Sequence, residues 1–241
     1  MTKWEAMRFG ALVSVPMMLG NLPFGMIFGS LAVSQGLDPW VPIAMSLIVF
    51  AGSAQFVALG LFAVSTPILI IIFTTFIVNL RHLLYSADYM KYVKHLPMAW
   101  RAVLAFGLTD ETYAATKPYF VNGKLDETTG HWAYLGSVVA FYTMWNLTTI
   151  IGVVAGELIP GMSEWGLEFA MVATFLGIIT TYLRNSAYWI SFVVAGTAAL
   201  FLYKLPNNLG MLLAALLGVL AGVAVQHLQA HLTKTKDDQH A

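Results

Sequence analysis

Cysteine is absent from this 241-residue chain, and charge is scarce. Without thiols there is no disulfide frame, no thiolate metal site and no cysteine nucleophile. Twelve Lys or Arg and twelve Asp or Glu make only 10% charged residues, against about 25% in a soluble domain. The two signs cancel and no basic stripe interleaves with aromatics, which excludes nucleic acid as a partner. Neither G-x-x-x-x-G-K-[ST] nor G-x-G-x-x-G occurs, so the chain carries no nucleotide-driven motor of its own. The ten-residue alternation of a membrane β-barrel is also missing.

What is present is apolar surface, 59% of residues with a mean hydropathy of +0.74. A soluble fold of this size cannot hide so much. Charge-free runs cover 9–37, 39–80, 128–156, 185–203 and 205–233, and a bilayer span needs about 20 predominantly apolar residues. The chain therefore reads as all-α, a polytopic helical membrane protein with seven or eight transmembrane or half-membrane helices, some broken near mid-membrane. Candidate spans are 9–31, 41–64, 67–85, 102–117, 132–159, 167–183, 188–203 and 209–226, in one transmembrane domain with a short polar tail at 229–241. Lys3 and Arg8 before the first run resemble a secretory leader, but no small-residue cleavage site follows, so a first span is expected. The 42-residue neutral run at 39–80 is about 63 Å long as a helix and must fold back, with Ser65-Thr66-Pro67 as the turn.

Basic residues set the orientation. Lys3 and Arg8, the 90–101 loop with Lys91, Lys94 and Arg101, and Lys234 and Lys236 point to a cytoplasmic side holding both termini. The acidic loop with Glu157, Glu164 and Glu168 falls outside. Eight full spans would put the 90–101 loop outside as well. Making 41–64 a re-entrant pair and 102–117 a half-span removes the conflict.

The apolar runs are interrupted by residues suited to chemistry. Asn21, Pro23 and Gly25 stand in the first, and Gly52, Ser53 and Gln55 in the second. Gly and Pro within a span leave backbone groups that protein or a wet cavity must satisfy, and transporters hold substrate at such breaks. Arg81 and His82 close the third run, with Asn79 before them and Tyr85 on the face of Arg81, Asp88 following one turn on. Thr109-Asp110-Glu111-Thr112 puts two adjacent acids in an apolar segment, either as a capped helix start or as a site facing a pathway. Three G-x-x-x-G pairs, Gly25/Gly29, Gly152/Gly156 and Gly218/Gly222, read as helix packing. His227 and His231 have a metal-like spacing but no third ligand nearby, so no metal or other cofactor is expected. Ser53 with His82 imitates a hydrolase pair, yet the G-x-S-x-G elbow is lacking. An enzyme is not expected.

Taken in order, Leu22-Pro23-Phe24-Gly25 with Phe28-Gly29, Phe50-Ala51-Gly52-Ser53-Ala54-Gln55-Phe56, Asn79-Leu80-Arg81-His82-Leu83-Leu84-Tyr85 and Thr109-Asp110-Glu111 form a series. This series resembles the AzlC/YgaZ family, the large subunit of a two-component branched-chain amino acid exporter. The likeness covers most of the chain, with its specific motifs confined to 16–116. It implies a prokaryotic cytoplasmic membrane, export of valine, leucine, isoleucine and methionine driven by the proton-motive force, and a small membrane partner of the AzlD/YgaH type. On that reading Asn21, Pro23, Gly25, Gly52, Ser53, Gln55, Asn79 and Tyr85 are candidate substrate contacts. Half-helix N-termini near Pro23–Gly25 and Gly52–Gln55 would present N–H donors to the substrate carboxylate. Asp110 or Glu111 would hold its ammonium. Arg81, His82, Asp110 and Glu111 are candidates for proton coupling or a charge pair. The competing classes are a membrane scaffold subunit and an intramembrane serine hydrolase.

Overall fold

The computed structural model describes residues 1–158, 176, 180, 183, 185–205 and 209–239, with side chains at the last helix described to 229. Glu164, Glu168 and nearly all of the candidate span at 167–183 lie outside the described residues. Those described are helical or in turns and group into two compact units.

The first unit, Met1–Val64 with Ile71–Met171, is built on two long helices. α1 (Lys3–Ser34) and α8 (Gly130–Leu158) have 32 and 29 residues, or about 48 and 44 Å, enough to cross a bilayer. They lie parallel and form the most extensive helix pairing among the described residues. Between two helices in lipid there is little hydrophobic drive, so close approach of small residues must hold them. A Cβ at Gly29 would stand 2.2 Å from the Thr149 carbonyl oxygen, and one at Gly152 would stand 2.0 Å from that of Met26. Gly10 meets Ala133, Gly25 meets Thr148 and Gly156 meets Ser30 in the same register. A buried hydrogen bond of 2.6 Å joins Ser14 to Ser137 across the pair. Two of the three G-x-x-x-G pairs thus form this seam. Gly152→Leu is expected to abolish recovery of folded protein, measured as the monodisperse fraction after detergent extraction. Gly20→Leu, with nothing within 4 Å of its Cβ, should leave that fraction unchanged.

One expectation fails here. α1 runs unbroken through Pro16 and Pro23, so no half-helix begins at Pro23–Gly25. Both prolines stand on the exposed side of α1, each withdrawing one N–H, while Ser14 and Gly25 beside them pack on α8.

The remaining helices of this unit make two hairpins and a broken span. In α2 (Trp40–Ile48) and α3 (Gly52–Ala63), Gln55 Nε2 donates to Ser46 Oγ at 2.9 Å. Residues nine apart in a straight helix are about 13.5 Å apart. The chain therefore doubles back, as the re-entrant reading of 41–64 requires. Phe50 at the tip has φ +43°, a left-handed conformation costing a branchless L-residue about 1–2 kcal/mol. Its ring is held by Phe106 and Tyr142, with centroids at 6.1 and 5.0 Å.

The second hairpin corrects the single half-span expected at 102–117. α6 (Met98–Phe106) and α7 (Asp110–Val121) are two helices joined at Gly107–Thr109. Trp100 packs on Trp132 near the start of α8, Gly107 reaches Val138, and Phe120 is back at Gly130. This hairpin enters from the start of α8 and the first from its other end. Their tips meet near the middle of α8, where Phe50, Phe106 and Tyr142 cluster. α4 (Ile68–Asn79) and α5 (Arg81–Val93) form a 26-residue apolar segment interrupted at Leu80. The expected turn is present before it, with Ser65 at φ +54°.

The second unit, Ser65–Ile70 with Val172–Ala241, contains α9 (Ser186–Leu202) and α10 (Leu209–Gln239). Asn185 caps α9 by accepting from the Tyr188 N–H at 3.0 Å. Gly218 and Gly222 of the third G-x-x-x-G pair pack on Ser191, Ala195 and Ala187 of α9. α10 stays helical through the polar segment that the sequence reads as a tail.

Candidate functional site

Three interruptions of helix converge on one side chain. Arg81 is the first residue of α5, just after the break at Leu80. Its Nη1 donates to Asp110 Oδ2 at the start of α7, and its Nη2 donates to Ser53 Oγ at 2.5 Å in the first turn of α3. The tips of both hairpins and the broken span are thus tied by one planar guanidinium, whose fork allows two acceptors at once. The Arg81 and Asp110 side chains remain about a quarter exposed, 25% and 22%, so the pair is neither sealed in the core nor free in solvent.

Local sequence explains each member. Thr109 is the N-cap of α7. Its hydroxyl accepts from the Thr112 N–H, and Thr112 Oγ1 accepts from the Thr109 N–H at 2.9 Å. Asp110 and Glu111 then sit in the first turn, where the positive end of the helix favours acids. The capped helix start and the charge pair are therefore the same structure. α3 is different. Its N-cap, Ala51, makes no side-chain cap bond, so the first-turn N–H groups at Gly52–Ala54 are left to backbone or ligand acceptors. The irregular backbone falls on Phe50 and Ala51, and Gly52 already begins the helix.

Four atoms around this hub are buried without hydrogen-bond partners: Arg81 Nε, Asp110 Oδ1, Asn79 Oδ1 and His82 Nε2. Buried polar atoms are normally paired, so a cluster of orphans calls for an explanation. Here one is a fixed donor (Arg81 Nε), two are acceptors (Asp110 Oδ1 and Asn79 Oδ1), and His82 Nε2 can be either. His82 Nε2 is without a hydrogen-bond partner and so does not bond Ser53, whose Oγ accepts from Arg81.

A ladder runs from this hub along the parallel helices α5 and α7. Arg81 meets Asp110, Tyr85 stacks on Tyr113 with centroids 4.7 Å apart, and Lys117 Nζ lies 2.5 Å from Asp88 Oδ2. Tyr113 also donates to Asp88 Oδ2 at 2.7 Å, and Lys91 donates to its Oδ1 at 3.1 Å. The two ionic rungs have opposite sense, a cation on α5 at one and on α7 at the other. Tyr113 and Lys117 escaped the sequence reading. Their signal is a pair of seven-residue spacings with a tyrosine inside each, Arg81/Tyr85/Asp88 and Asp110/Tyr113/Lys117, which counts only once the two helices are known to be neighbours.

The other expected contacts have different places. Gln55 is fully buried, with Trp145 Nε1 donating to its Oε1 at 3.0 Å and its Nε2 bound to Ser46, which in turn bonds Thr149 at 2.9 Å. It closes the first hairpin onto α8. Gly52 lies under the Trp145 ring, and Gly25 is part of the α1–α8 seam. Pro23 is exposed on α1, and Asn21 bonds its own helix. Glu111 is half-buried beside Asp110. Among the described residues no three His, Asp or Glu side chains are grouped to hold a metal.

The chain has relatives among known proteins. The family model described as AzlC protein matches residues 16–159, which include both hairpins and the whole ladder. The chain is 26% identical over 238 residues to the inner membrane protein YgaZ of Escherichia coli, covering 95% of this chain and 93% of that one. It is 31% identical over 224 residues to an uncharacterized membrane protein of Archaeoglobus fulgidus, covering 91% and 95%. It is 27% identical over 220 residues to the branched-chain amino acid transport protein AzlC of Bacillus subtilis, covering 90% and 85%. No solved structure matches.

Proposed function

We propose that this chain, which belongs to the AzlC family, is the transporting subunit of a secondary exporter of branched-chain and similar small apolar amino acids. Its place in that family makes it a membrane protein with a role in transport. The observation that carries the finer reading is the hub of Arg81, Asp110 and Ser53, with its unpaired atoms of both kinds. A zwitterion offers one anionic and one cationic end three bonds apart. Arg81 and the uncapped start of α3 suit the carboxylate, and Asp110 Oδ1 with Asn79 Oδ1 suits the ammonium. Phe50, Phe106 and Tyr142 provide apolar surface at the hairpin tips.

Protons are the proposed coupling ion, with Asp110, Glu111 and His82 as carriers. One charge moved through 100 mV is worth about 2.3 kcal/mol, nearly a fiftyfold gradient, so one proton per substrate is enough for useful export. A small membrane partner of the AzlD/YgaH type completes the proposed assembly. Its cytoplasmic side carries Lys3, the 90–101 loop and the turn with Lys124, which the structure gathers at one end of the first unit through contacts of Lys3 with Trp132, Trp100 with Trp132, and Lys124 with Phe9.

The test uses proteoliposomes holding the chain and its partner, loaded with labelled leucine, with and without an imposed pH gradient. Leucine driven uphill only when the gradient is present supports the proposal. Leucine that moves equally without it removes proton coupling, and none moving in either case favours a scaffold subunit.

A further inference from the structure

On another face of α5, away from the ladder, a small apolar cleft of about 60 Å³ opens between α5 and α6. Met90 and Val93 line one wall, Leu104 and Leu108 the other, and Tyr134 of α8 lies beneath. At the end nearest the 94–97 turn stands Arg101, the one charged residue lining it, and its Nε is buried with no hydrogen-bond partner. From Arg101 to Leu108 the cleft follows about 10 Å of helix axis.

We propose that this cleft binds one acyl chain of an anionic phospholipid, with the headgroup phosphate on Arg101. The reading does not depend on the transported substrate. Three observations favour this occupant. The surface the cleft exposes is wholly apolar and the half-buried Arg101 stands at its end, which suits an apolar tail with a terminal anion just beyond it. No carboxylate lines it, so an amino acid's ammonium would be unpaired there. The cationic end also has the marks of a membrane–water interface. Trp100 packs on Trp132 and His131, Lys3 lies over the Trp132 ring, and Lys94 and His95 are exposed in the adjacent turn. Tryptophan belts and clustered cations mark the headgroup level and attract anionic lipid.

Native mass spectrometry of the full chain, extracted from nanodiscs of equal phosphatidylglycerol and phosphatidylcholine, reads the occupant directly. One phosphatidylglycerol should be retained in preference to phosphatidylcholine. Arg101→Gln should lower that retention about tenfold, the worth of one charge-assisted hydrogen bond with its local field. Ala105→Trp, placed on the exposed lip to fill the cleft, should lower it with Arg101 intact. Lys94→Gln should lose about fivefold or less, the long-range share of one interfacial cation. Equal retention of both lipids overturns the proposal. So does a Lys94→Gln loss as large as that of Arg101→Gln, or retention indifferent to Ala105→Trp. Stabilisation of delipidated protein by millimolar inorganic phosphate assigns the site to a free anion, and displacement of lipid by leucine assigns it to the substrate; either result also overturns it.

Discussion

Arg81→Gln is expected to lower leucine transport by at least about a hundredfold while the protein still reaches the membrane. The guanidinium joins Asp110 of one hairpin to Ser53 of the other. Charge-assisted bonds of this kind are worth roughly 1.5–3 kcal/mol each, and a loss of about 2.8 kcal/mol is a factor of about 100. The cost to stability should be smaller than the roughly 3–5 kcal/mol of a fully buried broken pair, because both side chains keep about a quarter of their exposure. Arg81→Lys should not rescue transport, since one ammonium lacks the planar fork needed for both acceptors. Asp110→Asn keeps the shape and the Thr109 cap but removes the charge. It should permit exchange of labelled for unlabelled leucine and abolish uphill efflux. Near-normal uphill efflux by Arg81→Gln in proteoliposomes would show the hub to be structural only.

Gly52→Leu should reduce transport at least about fivefold with membrane insertion intact. A Cβ at Gly52 would stand 2.9 Å from the Trp145 ring. Trp145 holds Gln55, Gln55 holds Ser46, and Ser46 holds Thr149, so pressure on that ring is passed to the bonds that close the first hairpin. Overpacking of this kind typically costs about 1–3 kcal/mol, or about five- to a hundred-and-fifty-fold in the population of the closed hairpin. Trimming the ring should relieve it. Gly52→Ala/Trp145→Phe is expected to transport better than Gly52→Ala, although Trp145→Phe leaves Gln55 Oε1 unpaired. Efflux assays on the three variants, normalised to inserted protein, check the coupling between the two positions. Equal rates for Gly52→Ala with and without Trp145→Phe would place the sensitivity elsewhere.

How far the fold could be read from the chain depended on where polarity interrupts hydropathy. Charge-free runs marked the long helices, and the Gly52-Ser53 and Thr109-Asp110 breaks stood out because small or capping residues are conspicuous in apolar sequence. Pro23 misled because proline withdraws only one backbone donor, and α1 runs on unbroken through it. The α6–α7 hairpin was hidden because Gly107-Leu108 continues the apolar run through its turn. Site partners far along the chain carried no local sign at all. Ser46, Thr149 and Trp145 look like ordinary span residues, and Lys117 acquires Asp88 only when α7 lies beside α5.

Because the natural chain has no cysteine, a single Ser53→Cys gives the most direct view of the hub. The thiol would replace the hydroxyl that accepts from Arg81, at the meeting of the two hairpin tips. A small water-borne thiol reagent is applied to proteoliposomes, with the rate of modification measured against leucine concentration. Leucine at ten times its Kd should slow modification about tenfold by simple occupancy, while glutamate should not. A control cysteine at Glu127, exposed in the 122–129 turn, should react at one rate throughout. A Ser53→Cys thiol that reacts equally fast at every leucine concentration would contradict the claim that Arg81, Asp110 and Ser53 hold the transported amino acid.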